Sequence, residues 1–338
     1  MLKIWNQIPE GFVNARAEDL HKLLGGPSLI HIPGRREAPL FLSVMQHGDE
    51  LAGLHAAQSL LAKYQDRELP RALSIFVGNV EAAEYEVRML ASQPDYNRIW
   101  PGSKGPSPEH AMMQQVVDEM AQRNVFASLD IHNNTGINPH YSCVNRIDDR
   151  FFHIATLFSR IVVYFTKPEG VQSGAFAHLC PAVTVECGPV GQTFGDVHAL
   201  EYIDACLNLS EIPAHPVQPH DIDLFHTVAI VRVPPEAEFG FGDSDNEIVF
   251  ESDLDHMNFR ELKPGTCIGK IREGSTVRLR VEDNQGNEVG DEFFSYENNE
   301  IILKKVVMPS MLTVNERAIR QDCLGYLMER HPYSSSQG

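Results

Sequence analysis

Four clusters of polar residues carry side chains able to bind a metal or move a proton, and three of them close apolar runs. The first is Gln46-His47-Gly48-Asp49-Glu50. His47 and Glu50 stand where a strand-like run gives way to a helical one, the place at which open α/β sheets build their ligand crevices. An imidazole and a carboxylate at such a turn can face one ion, and both are common zinc ligands. Alone the spacing says little, because Glu is favoured in the first turn of any helix. The second cluster, Leu129-Asp130-Ile131-His132-Asn133-Asn134-Thr135-Gly136, crowds an Asp, a His and two Asn onto one strand end. A structural loop rarely needs that set, whereas a site where ligands and substrate donors converge does. His132 would complete the metal set of His47 and Glu50. Asp130, on the same side of the strand as His132, either orients a ligand or is a plain strand-end hydrogen bonder.

The third cluster is Val183-Thr184-Val185-Glu186-Cys187-Gly188-Pro189. A carboxylate at the end of an apolar strand is costly to bury unless it is paired or catalytic. Beside a metal, Glu186 could take a proton from water and pass it to a leaving group; the alternative is a solvent-exposed Glu just past the strand. The fourth comprises Asn79, Arg88 and Tyr96-Asn97-Arg98-Ile99. Arginine forks grip carboxylates in two-pronged fashion and neutralise a developing oxyanion, although singly these would be ordinary surface arginines. His55, His140, His153, His178 and His198 have no ligand partner at a recognisable spacing and are read as non-ligands. Cys187, with no activating His close in sequence, is read as a small core residue rather than a nucleophile.

The elements that must position these groups alternate. Strand-like runs occupy 39–46, 73–80, 125–132, 161–166 and 182–186, short and apolar with little alternation, as strands buried on both faces are. Between them lie helical patterns: Leu51, Leu54 and Leu61 on one stripe, a start at Ser107-Pro108-Glu109 ahead of Met112, Val116, Val117 and Met120, then helices over 150–160 and 197–209. Such alternation predicts an α/β fold, a mostly parallel mixed sheet with helices on both faces. At 212–219 three prolines fall in eight residues, which reads as a linker. Beyond it, strand-like pieces at 227–233, 247–250, 276–281 and 300–307, with a hairpin turn at 283–287, predict a smaller β-rich domain. The expected domains are therefore 1–212, catalytic, and 213–338, with a frayed tail from 331.

Composition narrows the partners. The chain has 338 residues, enough for about two domains. A formal charge of −18 repels nucleic acid and anionic membrane, so neither is an expected partner. No apolar run approaches the ~20 residues of a membrane span, and the N-terminus does not read as a secretory leader. Six scattered cysteines without CxxC pairs fit reduced thiols, and the expected location is the cytoplasm.

The order HxxE, Arg, AsnArg, DxH with a polar tail and Glu-x-Gly-Pro, spread over residues 41–189, resembles the succinylglutamate desuccinylase/aspartoacylase family of zinc carboxypeptidase-like (M14-type) hydrolases. The trailing β-rich domain resembles that family's architecture too. The resemblance implies one zinc ion (Zn2+) per chain on His47, Glu50 and His132, with Glu186 as general base. It implies that Arg88 polarises the scissile carbonyl and that Asn97 and Arg98 hold the carboxylate of a small-molecule substrate. The expected reaction is hydrolysis of an amide by metal-activated water. The family's aspartoacylases carry an Arg and a Tyr upstream of the general base to grip an acidic substrate. Here Phe176 and Gln172 fall near those places, so the resemblance does not extend to N-acetylaspartate as substrate. For the family's tyrosine from the second domain, Tyr296 is the nearby candidate. Three readings stay open: a deacylase of small N-acyl amino acids, a carboxypeptidase trimming a peptide, and a zinc-bound binding protein without catalysis. A β domain covering the crevice would exclude long chains, whereas an open groove would admit them.

Overall fold

The computed structural model describes residues 1–333, so residues 334–338 of the tail expected to fray lie outside the described residues. The chain forms two compact units: residues 1–133, 140–224 and Tyr333 in the first, residues 134–139 and 225–332 in the second. The expectation from sequence set the boundary at 212/213. Ile212, Val217, Ile222 and Leu224 bury their side chains in the first unit's core, which carries the division past the proline-rich stretch to 224/225.

The first unit holds strands β1 (Lys3–Trp5), β2 (Ser28–Ile32), β3 (Leu40–Val44), β4 (Leu73–Val77), β5 (Ala127–Asn134), β6 (Tyr141–Val144), β7 (Ile161–Tyr164) and β8 (Ala182–Pro189). They lie side by side in the order β1-β2-β4-β3-β5-β8-β6-β7. β4, β3 and β5 run parallel, as do β6 and β7, while β2 opposes β4 and β6 opposes β8, so the sheet is mixed with a parallel centre. β3, β4 and β5 are buried along their whole length, the physical reason their sequences run apolar without alternation. The helices are α1 (Leu20–Leu24), α2 (Ala52–Lys63), α3 (Val80–Ala83), α4 (Pro108–Gln122), α5 (Asp149–Thr156), α6 (Gln172–Phe176) and α7 (Thr193–Asn208). α2 seats so closely on the sheet that a Cβ on Gly53 would lie 2.8 Å from Val44 Cγ1 and 3.0 Å from Ile131 Cβ. α4 starts at Pro108 as expected, where the missing N–H costs nothing. α5 stops at Thr156, four residues short of the expectation. α7 starts at Thr193, earlier than 197.

The second unit is β-rich. A five-stranded sheet takes the order β10 (Phe239–Phe241), β11 (Ile248–Phe250), β12 (Cys267–Ile271), β15 (Glu300–Leu303), β14 (Phe294–Glu297). Beside it β17 (Gly325–Arg330) pairs with β16 (Met308–Ser310) and with β9 (Asp223–Arg232), which also pairs with β13 (Arg280–Asp283). Two short helices, α8 (Gly290–Phe293) and α9 (Glu316–Gln321), complete it. The turn expected at 283–287 is present: Asp283 Oδ1 accepts from Gln285 N and Asn287 N, both at 2.8 Å, with Gly286 at φ 83°. Phe239, Phe250, Leu254, Ile301, Leu303 and Leu327 form its core.

Candidate active site

β3, β5 and β8 are consecutive in the sheet, so their C-terminal ends, which carry the three polar clusters, lie side by side. β3 leaves the sheet through Met45, a non-glycine residue at φ 56°. That left-handed turn costs about 1–3 kcal/mol unless its surroundings hold it. Here the Met45 carbonyl accepts from Asn79 N at 2.6 Å, and Asn79 itself caps α3 through Oδ1 to Ala82 N at 3.1 Å. Gly48 then passes against the 79–88 segment: its N–H donates to the Arg88 carbonyl at 3.0 Å, and a Cβ there would meet Ala83 N at 2.4 Å. This close approach brings Arg88 to the HxxE turn.

His47, Glu50 and His132 converge. Their ligand atoms lie within 4.8 Å of one another and all three residues are buried. His47 Nδ1 is 2.6 Å from Glu50 Oε1, and His132 Nδ1 is 2.7 Å from Glu50 Oε2. Two imidazoles and one carboxylate make the donor set of a three-ligand zinc site with room for a fourth ligand, so the residues present fit that ion. Burial works against charge on all three. The opposing pull of His47 and His132 nonetheless holds the Glu50 carboxyl far below the usual range, and Asp130 with Glu50 raises the His132 imidazole well above its own.

Hydrogen bonds hold these three side chains in place. Asp130, fully buried, accepts Gln46 Nε2 at 2.6 Å and sits 3.0 Å from His132 Nε2, while Gln46 Oε1 accepts Trp100 Nε1 at 2.6 Å. Asp130 thus contacts both His132 and Gln46. Asn133 ties three segments together: its N–H donates to Glu50 Oε2 at 3.1 Å, its Oδ1 caps the α2 N-terminus at Ala52 N, and its Nδ2 donates to the Gly188 carbonyl. Sequence reasoning missed Asp95, whose carboxylate lies 3.0 Å from His47 Nε2 and accepts Arg88 Nη2 at 2.8 Å. The signal was its place one residue before Tyr96-Asn97-Arg98, where the fork-bearing motif drew the attention.

Glu186 is 9% exposed, and its Oε2 is buried without a hydrogen-bond partner among the described residues. Burial pushes its carboxyl up to about 7, against the attraction of His132, with Glu50 and Asp130 adding repulsion. Such a group holds or releases a proton near neutrality. Arg88 lies 3.6 Å from Glu50 Oε1. Asn97 is turned inward: its Nδ2 is 3.2 Å from His132 Nε2 and its Oδ1 accepts Gln172 N at 3.0 Å. Arg98 donates through Nη1 to the Asn97 carbonyl at 2.8 Å. Gln172 and Phe176 are core residues, Gln172 donating to Ser128 Oγ at 2.7 Å and Phe176 stacking on Phe41 at 4.4 Å between centroids. Tyr296, in the second unit, accepts Leu279 N at 2.9 Å and lies under the Arg278 guanidinium.

Of the five histidines read as non-ligands, four have partners of their own. His55 pairs with Asp196 at 2.8 Å, His140 meets His198 at 2.6 Å, and His153 donates to the His215 carbonyl at 2.8 Å. Cys187 is buried, which pushes its thiol well above the usual range, and all six cysteines are free.

Solved structures share this architecture at low identity. The succinylglutamate desuccinylase of Vibrio cholerae is 16% identical with a TM-score of 0.58, over 89% of this chain and 85% of that one. The succinylglutamate desuccinylase/aspartoacylase of Rhodobacter sphaeroides gives 12% identity and 0.57, over 89% and 88%. Murine aminoacylase 3 gives 16% and 0.55, over 88% and 96%. No curated protein sequence matches the chain. The family model for the succinylglutamate desuccinylase/aspartoacylase catalytic domain matches residues 38–208, half of the chain and all four clusters, and the protein belongs to that family.

Proposed function

We propose that the protein is a zinc-dependent hydrolase that cleaves the amide bond of a small N-acyl amino acid carrying a carboxylate. One observation carries the reading: the buried group His47, Glu50 and His132 interacts electrostatically with a second buried carboxyl, Glu186, that titrates at about 7 and has a free oxygen. The names of the similar structures, desuccinylases and an aminoacylase, support deacylation. Zinc on His47, Glu50 and His132 would supply Lewis-acid polarisation of the acyl oxygen and an acidified water. Glu186 acts as general base toward the attacking water and returns the proton to the departing nitrogen. The Arg88 guanidinium stabilises the oxyanion. Arg98, with Asn97 beside it, holds the substrate carboxylate. Gln172 and Phe176 are spent inside the core, which supports a substrate other than N-acetylaspartate.

Among the described residues no helix is long and apolar enough to cross a membrane, and the free cysteines support a reducing compartment such as the cytoplasm. The test is direct. Metal analysis of the purified protein is expected to find about one zinc per chain, lost in His47→Ala and His132→Ala. A panel of N-acyl amino acids and dipeptides is then scored for released amine in the wild type and in Glu186→Gln. Retained zinc in both His variants, or undiminished turnover in Glu186→Gln, would overturn the assignment. Faster release from dipeptides would move it to a peptidase.

A further inference from the structure

Away from the metal group, the fold brings two imidazoles face to face. His140, just ahead of β6, and His198, on α7, are half-buried and turn their Nδ1 atoms to one another at 2.6 Å. Aromatic packing holds them there. Phe158 stacks on His198 at 4.2 Å and on His140 at 5.9 Å, and the two histidine rings lie 18° from parallel. The second nitrogen of each ring is spent on the backbone: His140 bonds the Cys187 carbonyl and His198 the Phe158 carbonyl. His140 Nε2 lies against that turn, 3.1 Å from where a Cβ on Gly188 would stand. With Nδ1 facing the other ring, the bond to a carbonyl falls to Nε2–H, and a neutral imidazole carries one N–H only. Both Nδ1 atoms therefore present lone pairs, which repel at 2.6 Å unless a cation lies between them. Burial lowers both imidazoles from their ordinary range, so a shared proton is disfavoured there and the neutral, ligating form prevails.

We propose that His140 and His198 form a second metal site, for a divalent cation that prefers imidazole nitrogen, such as Zn2+, over Mg2+ or Ca2+. A ring N–H held by a backbone carbonyl is how metal-binding histidines are commonly oriented. Zinc at about 2.0–2.1 Å from each nitrogen sets the pair about 3.3 Å apart, so the two rings part by about 0.7 Å to admit it. Glu201 supplies a third donor: it follows His198 by three residues on α7, is exposed, and acts on His198 electrostatically. The bound ion ties the start of β6 to α7 beside the general base, because Tyr141, next to His140, stands opposite Glu186 in the β6–β8 pair. The two histidines are 58 positions apart, which is why their spacing reads as that of non-ligands.

The test counts bound metal by equilibrium dialysis of the full-length protein against rising Zn2+. The set is wild type, His47→Ala, His140→Phe, His198→Phe and Glu201→Gln. Phenylalanine keeps a ring in the stack and removes the donor nitrogens. Wild type is expected to take up about one zinc per chain beyond the His47 group, and both Phe variants to lack that increment. If one of the two fails to fold, the other decides. His47→Ala is expected to keep the increment, which separates this site from the metal group proposed above. Glu201→Gln is expected to weaken the increment without removing it, and unchanged binding there takes Glu201 out of the ligand set. Excess Mg2+ is expected not to displace the second zinc, and displacement would overturn the choice of metal class. No uptake by wild type beyond the His47 group, or an increment retained by a folded Phe variant, overturns the proposal. So does an increment lost from folded His47→Ala.

Discussion

Glu186→Gln is expected to abolish turnover and, in zinc-free protein, to stabilise the first unit at alkaline pH. Burial lifts the Glu186 carboxyl from 4.5 to about 7, with the attraction of His132 only partly offsetting it. A carboxyl whose folded pKa lies above its unfolded value holds its proton more tightly in the folded state. Stability therefore falls as pH rises from 4.5 to about 7, and the whole penalty stands above that window. At about 1.4 kcal/mol per pKa unit, the shift amounts to about 3 kcal/mol. Glutamine keeps the shape of the side chain without the charge, so the variant escapes the penalty at about pH 8 and gains little at about pH 5. The assay is urea unfolding of chelator-treated protein at the two pH values, followed by the fluorescence of Trp100, which is fully buried beside Gln46. A gain equal at both pH values, or a variant less stable than wild type at the higher one, would refute the view that a desolvated carboxylate is held there at a cost.

Two further outcomes follow from the geometry around the HxxE turn. Gly48→Ala places a Cβ 2.4 Å from Ala83 N and 2.5 Å from Ala82 C, backbone atoms that cannot swing aside. It is expected to cost about 1–3 kcal/mol in urea unfolding and to weaken zinc retention, since His47 and Glu50 flank the displaced residue; wild-type values for both would refute the close approach. Arg88→Lys keeps a charge but loses the planar fork that spans Asp95 and the region of Glu50. Its kcat on the fastest substrate of the panel is expected to fall about 100–1,000-fold with little change in KM, and an unchanged kcat would remove Arg88 from oxyanion stabilisation.

Most of the candidate site was legible because His47, His132 and Glu186 lie at or just past the C-terminal ends of strands. β3, β5 and β8 begin as mostly apolar runs because they are buried, and a His or Glu toward the end of such a run stands out. Strands β2 and β6 were not legible. β2 carries Ser28 and His31 among its five residues, and β6 is four residues with a Ser and a Cys, so neither shows a clean apolar run. The proline-rich stretch reads locally as a linker, yet Ile212 and Val217 find cover in the first core, a matter of packing that periodicity does not reveal.

The sequence by itself determined the chemistry on offer: imidazoles and carboxylates at the mouths of buried strands, with arginine forks nearby. Only the tertiary structure decided how they are used. Sheet order set β3, β5 and β8 next to one another, and that adjacency, absent from any local pattern, brings His47, His132 and Glu186 together. It also turned Asn97 toward His132, committed Phe176 to a stack on Phe41, and drew Asp95 between His47 and Arg88. Asp95 stands 48 positions from His47, so no local pattern announces that contact.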